Sequence, residues 1–255
     1  MNIKKVISIV LAIIIATSCL TFSLSAEQSQ IDPFDPETFP TIEEQYQEML
    51  SNPNLTNAKR QDIMESYNRI MAIKNGYSVF KAKAYVESCN LNVPYFAQEN
   101  DYYCGPATVQ QTYAFLNLRD NGTGYCPSQS DIAKALNTTI NGTDQSKILD
   151  YINNTFNENY LVDWYFDEEE AESLMYNAMT EDMRPPILHV ISWQYYPTDG
   201  HYMNVDAYNA EEDMFRVVDP NYDNCNSDVI YVTEAEGKYL VDVSDVNSVC
   251  DRMMI

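Results

Sequence analysis

Four side chains in this 255-residue sequence combine types that support acyl-transfer chemistry: Cys104, His201, Asp219 and Gln98. A cysteine attacks as thiolate, so its surroundings must favour the charged form. Cys104 is followed by Gly105-Pro106 and then by ATVQQTYAFLNL. Proline is tolerated in a first helical turn, where its missing N–H would have no partner. The pattern predicts a helix opening at Cys104. Its sulfur would then sit among unsatisfied N–H groups at the positive end of the helix dipole, which stabilises thiolate.

A thiol nucleophile needs a base, and the chain offers only His189 and His201. The segments around His201 and Asp219 flank the polar cluster from Asn209 to Glu212. They predict a hairpin with Val205 opposite Phe215 and His201 opposite Asp219. Opposed residues hold their Cβ atoms about 4.5–5.5 Å apart. That is the reach at which a carboxylate fixes one imidazole nitrogen and leaves the other to the thiol. A register two residues different would give Asn221 or Asp223 that role. His189 lies in the apolar run from Ile187 to Ile191 with no carboxylate predicted opposite it, and reads as a packed or partly exposed strand residue. Gln98 stands six residues before Cys104. Its amide could join the Cys104 backbone N–H in stabilising an oxyanion, an effect of about 3–4 kcal/mol.

The elements that must position these groups follow from periodicity. LNVPYFAQ, ending at Gln98, reads as an extended segment. Helices are predicted from Ser130 to Leu136, from Gln145 to Asn153 and over the acidic stretch Asp167 to Met179, whose charges read as a solvated face. After Arg184-Pro185-Pro186 the pattern turns to strands: ILHVISW, HYMNVDAY, MFRVVD and VIYVT. Helices first and antiparallel strands afterwards define an α+β domain. Upstream, a proline-rich stretch carries one short helix from Ile42 to Leu50. A second helix from about Thr56 to Lys74 places Ile63, Met64, Tyr67, Ile70 and Met71 at helical spacing and stops at Gly76.

Val93-Pro94-Tyr95 to Gln98, Cys104-Gly105-Pro106-Ala107, Gly200-His201-Tyr202 and Asp219-Pro220 are together similar to the bacteriocin-processing (double-glycine) peptidase family and its stand-alone secreted relatives. The resemblance spans about residues 91–232. It implies a papain-like fold, helical in its N-terminal half with an antiparallel sheet in its C-terminal half. It also implies Cys104 as nucleophile, His201 as base, Asp219 as orienting acid and Gln98 as oxyanion donor. The membrane and nucleotide-binding domains of the transporter-attached members are absent, so their leader-peptide substrate is not carried over.

The chain begins MNIKK, continues apolar from Val6 to about Leu20 and reaches small residues at SLSA, the order of a secretory signal peptide. The expected organisation is a signal peptide over 1–26, a helical extension over 27–88 that is a candidate propeptide, and a peptidase domain over 89–255. The product is expected outside the cell, or on its surface if Cys19, in the lipoprotein-like Ala16-Thr17-Ser18-Cys19, is acylated. The net charge of −23 repels phosphate backbones and anionic lipid, which excludes nucleic-acid partners and, once the signal is removed, membrane docking. Five cysteines remain beyond Cys19. In an oxidising compartment Cys89, Cys126, Cys225 and Cys250 are expected to form two disulfides, in any of three pairings, leaving Cys104 free. With two histidines and no C-x-x-C pair, no metal or other cofactor is expected. The expected partner is a peptide or protein substrate, met by a monomer. Two alternatives share these features: a catalytically silent secreted binding module on a peptidase fold, and a cell-wall peptide hydrolase of the NlpC type.

Overall fold

The computed structural model describes residues 35–82, 86–194, 199–224 and 232–255. The apolar N-terminal run, Cys19 and Cys225 lie outside the described residues. Residues 40–255 form one compact unit. Of the separate unit over 1–39 only 35–39 are described, a turn in which the Phe39 N–H bonds the Asp35 carbonyl.

Helix α1 (Ile42–Ser51) starts at a capping box in which Thr41 and Glu44 satisfy each other's backbone N–H groups. Helix α2 (Asn57–Lys74) is capped by Thr56 and followed by Gly76, whose φ of 90° suits a residue without Cβ. The short α3 (Val79–Ala82) and β1 (Cys89–Asn90) come next. The chain then forms α4 (Cys104–Asn121), α5 (Gln129–Ala135), α6 (Gln145–Phe156), β2 (Val162–Asp163) and α7 (Glu168–Thr180). The remaining elements are β3 (Ile187–Val190), β4 (His201–Asn209), β5 (Met214–Val218), β6 (Val232–Ala235), β7 (Lys238–Val241), α8 (Val243–Val249) and β8 (Cys250–Met254). The strands make one antiparallel sheet in the order β2-β8-β3-β4-β5-β7-β6, with β1 also paired to β4. The fold is α+β with the helices leading, as the sequence patterning indicated.

Only the first turn of α7 is acidic and capped by Asp167; the rest is buried from Ala171 onward, apart from Glu172 and the end of the helix. Leu174, Met175 and Met179 share one core cluster with Met203, Val205, Val217 and Val241 of the sheet. Ile70 and Ile73 of α2 and Val79 of α3 belong to the same cluster, so the upstream helices contribute to the central core.

The hairpin register differs from the expected one. Val205 lies opposite Val217, not Phe215, and a bulge between Val205 and Ala207 moves Phe215 opposite Tyr208. The cause is local: the Asn209 side chain accepts the N–H groups of Glu211 and Glu212, and Asp213 adopts a positive φ of 55°. The turn therefore runs longer and sits further along the chain. His201 and Asp219 are in consequence diagonal neighbours on one face, still within reach of a long side chain.

Candidate active site

Helix α4 is held on β4 by buried polar contacts. Thr108 Oγ1 donates to the Tyr202 carbonyl at 2.9 Å and Thr112 Oγ1 to Asn204 Oδ1 at 2.8 Å. Asn204 Nδ2 donates to Gln111 Oε1 at 2.9 Å and to the Thr108 carbonyl at 3.1 Å. Each such bond contributes about 0.5–1.5 kcal/mol, but their combined effect is geometric. They fix how far along β4 the helix starts, and so where its first residue, Cys104, meets the first residue of β4, His201. Gly105 is needed at the second position, because a Cβ there would lie 2.5 Å from Thr143 Oγ1.

Cys104 is 9% exposed, His201 3% and Asp219 0%. His201 Nε2 lies 2.8 Å from Asp219 Oδ1, and the Cys104 thiol hydrogen-bonds the same imidazole. With Nε2 taken by the carboxylate, Nδ1 is the nitrogen left for sulfur. Burial works against each charged form and the partners outweigh it. The thiol is lowered by its bond to His201, the His201 charge and the backbone of Tyr202 and Gly105. The imidazole is pushed up to about 9 by Asp219 and by Cys104. Asp219 is lowered by the His201 charge, by bonds to His201 and Tyr239 and by the Asn221 N–H. All three shifts favour a thiolate–imidazolium pair beside an ionised carboxylate. Tyr103, which precedes the helix, supplies no side-chain cap to the first-turn N–H groups.

Gln98 reaches this cluster through the backbone. Its N–H donates to the Pro220 carbonyl at 2.8 Å. The flanking chain is clamped by Gln111 Nε2 on the Phe96 carbonyl at 3.0 Å and Gln129 Nε2 on the Ala97 carbonyl at 2.7 Å. The Gln98 Oε1 atom is buried without a hydrogen bond. Asn221 contributes its backbone N–H to Asp219 Oδ1 at 2.8 Å, and Asp223 lies in the short 3-10 turn Tyr222–Asn224. Tyr239, unmarked by any sequence motif, donates to Asp219 Oδ2 at 2.7 Å.

No carboxylate lies opposite His189, whose register partners are Tyr202 and Arg252, but Asp251 Oδ1 reaches its Nδ1 at 2.6 Å from the adjacent position. That carboxylate comes from β8, a strand whose charged centre hides it in the sequence. Arg252 Nη2 also lies 3.0 Å from that nitrogen. Burial foremost, and the Arg252 charge, push this imidazole below its ordinary value, opposite to His201.

The two expected disulfides are not formed. Cys89, Cys104, Cys126 and Cys250 are all free thiols, whereas two bridges among Cys89, Cys126, Cys225 and Cys250 would join at least two of the described three. They occupy separate environments: Cys89 pairs opposite Tyr208 on the sheet, Cys126 sits beside Gln110, and Cys250 is buried with its thiol on the Arg252 carbonyl at 3.1 Å. Burial raises all three thiols. Cys104 alone among the described cysteines is lowered. Among the described residues no three His, Cys, Asp or Glu side chains converge as metal ligands.

A helix-start thiol packed on an antiparallel sheet, bonded to a histidine whose far nitrogen meets a carboxylate, is a cysteine peptidase fold of the papain-like class. Residues 90–241, more than half the sequence, match the Peptidase_C39 like family, and the chain belongs to that family. Among solved structures it is similar to a double glycine motif protease from an AMS/PCAT transporter in complex with the leader peptide. Identity there is 14% over 66% of this chain and 92% of that chain, with a TM-score of 0.43. It is also similar to the peptidase domain of Streptococcus ComA, a bi-functional ABC transporter, at 16% identity over 64% and 97% with a TM-score of 0.43. A third is xylellain, a cysteine protease from Xylella fastidiosa, at 11% identity over 68% and 86% with a TM-score of 0.47. No curated protein matches the sequence.

Proposed function

We propose that this protein is a secreted cysteine peptidase that cleaves peptide bonds through Cys104, His201 and Asp219. The observation that carries the reading is the buried run from Cys104 through His201 to Asp219, in a chain whose other described thiols are all raised. The Cys104 thiolate adds to the scissile carbonyl carbon. The resulting oxyanion is met by the Cys104 N–H and the Gln98 amide. The His201 imidazolium gives its proton to the departing amine, leaving a thioester. Neutral His201 then takes a proton from water as the oxygen attacks, and the acid product and free thiol are restored. Asp219 holds the imidazole proton on Nε2 throughout.

The substrate class is a peptide or protein, and the enzyme acts outside the cell after residues 1–26 are removed. Incubation with a proteome-derived peptide library, read by mass spectrometry, tests the activity. Cleavage by the wild type and none by Cys104→Ala is expected. A library left intact by both would favour a silent binding module.

A further inference from the structure

The hydrogen-bonded run does not end at Asp219. Its Oδ2 accepts from Tyr239 Oη at 2.7 Å, and that oxygen accepts from Trp193 Nε1 at 3.1 Å. Tyr239 and Asp219 are wholly buried and Trp193 nearly so. Tyr239 is fixed by the sheet, opposite Val217, while the Asp219 N–H bonds the Gly237 carbonyl on the same strand pair at 2.9 Å.

The proton bookkeeping gives this run a direction. An indole N–H can only donate, an ionised carboxylate can only accept, and a phenol carries one proton. Trp193 therefore fills an acceptor position on the Tyr239 oxygen, and the single phenol proton goes to Asp219. With Oδ2 so held, Oδ1 takes the Asn221 N–H and His201 Nε2, each at 2.8 Å. Rotation of the carboxylate would break bonds at both oxygens.

Resting on the peptidase reading above, we propose that Tyr239 is a positioning residue for that reaction, and that Trp193 orients it. The two fix the Asp219 carboxylate so that the His201 proton stays on Nε2 and Nδ1 faces the thiol. A phenylalanine at 239 would fill the same space, so what Tyr239 adds is the hydroxyl aimed at Asp219.

The test is Tyr239→Phe in the full chain, read by peptide hydrolysis and by the pH dependence of Cys104 alkylation with iodoacetamide. We expect kcat to fall about 10-fold with KM unchanged, the effect of one bond to a charged group, and the alkylation midpoint to move to higher pH. Trp193→Phe should act in the same direction, less strongly, and add nothing in the Tyr239→Phe background. A purely structural role would lower the melting temperature yet leave kcat and the midpoint of the folded protein unchanged, and that result overturns the proposal. If Tyr239→Phe does not fold, Trp193→Phe carries the test, and an unmoved midpoint there overturns it equally. A wild type whose Cys104 midpoint is that of an ordinary thiol brings down the peptidase reading and this one together. A depressed wild-type midpoint that Tyr239→Phe leaves in place removes the positioning role alone.

Discussion

His201 Nε2 and Asp219 Oδ1 lie 2.8 Å apart in the protein interior, although the two residues are not register partners in the β4–β5 hairpin. The contact is diagonal, so it depends on Asp219 being held by other groups. Asp219→Asn keeps size and loses the charge. We expect kcat/KM to fall about 100-fold, the scale on which a partner of a functional side chain matters, with the fold retained by circular dichroism. An Asp219→Asn enzyme of unchanged kcat/KM would show that another group orients His201.

The three shifts also set a pH window. The thiolate–imidazolium pair exists above the lowered value of Cys104 and below the His201 value of about 9. Hydrolysis should therefore fall on the alkaline side near pH 9, as His201 loses the proton it must give to the leaving amine. Stability follows the same signs. A raised His201 contributes fully below its ordinary value of 6.5 and loses that contribution as pH rises through about 9. The lowered Asp219 contributes above its ordinary 3.8 and loses it as pH falls through its depressed value. The lowered Cys104 thiol has the opposite sign to His201, gaining as pH rises toward its ordinary 9.0. Thermal melts from pH 6 to 10 should therefore decline in Cys104→Ala, where Asp219 still raises His201, and flatten in the Cys104→Ala, His201→Ala double variant. Parallel declines in both would assign the effect to other groups.

Asp206 is fully buried and binds Arg216 Nε at 2.7 Å and Lys238 Nζ at 2.7 Å, joining β4, β5 and β7. Removing the carboxylate leaves two buried cations without it. Asp206→Ala is expected to cost about 3–5 kcal/mol in urea unfolding. A loss below about 1 kcal/mol would mean that water already screens the network.

The upstream helices bear on whether residues 27–88 are removable. Ile70 and Ile73 are 3% and 2% exposed and share the core of the sheet. Gln45 is tied to Val162 by bonds of 2.8 Å in both directions. A chain beginning at Ser88 should therefore lose cooperative folding, and Ile73→Ala should cost about 2–5 kcal/mol. A shortened chain that folds and hydrolyses faster than the full one would instead identify a propeptide.

The sequence carried the helix start at Cys104 because Gly-Pro and the residues after it obey local rules. It carried β3, β4 and β5 because their apolar runs are long. It did not carry the bulge beside Asp206, because the longer turn depends on Asn209 accepting two backbone N–H groups and on the positive φ of Asp213, which residue types alone do not specify. Nor did it carry β8, where Asp251 and Arg252 interrupt the apolar pattern yet pair with His189 and, for Arg252, with the face of Trp164. Tyr239 resembles any strand tyrosine until the sheet order brings it to Asp219. The disulfide expectation came from compartment and cysteine count, which say nothing of where each thiol lies.

The most direct measurement is the second-order rate of Cys104 labelling by an epoxide or iodoacetamide probe at pH 6, located by peptide mapping, in wild type and His201→Ala. Rapid labelling confined to Cys104 in the wild type, and lost in His201→Ala, is the expected result. Equal slow labelling of Cys104 in both proteins would contradict an activated thiol and with it the peptidase assignment.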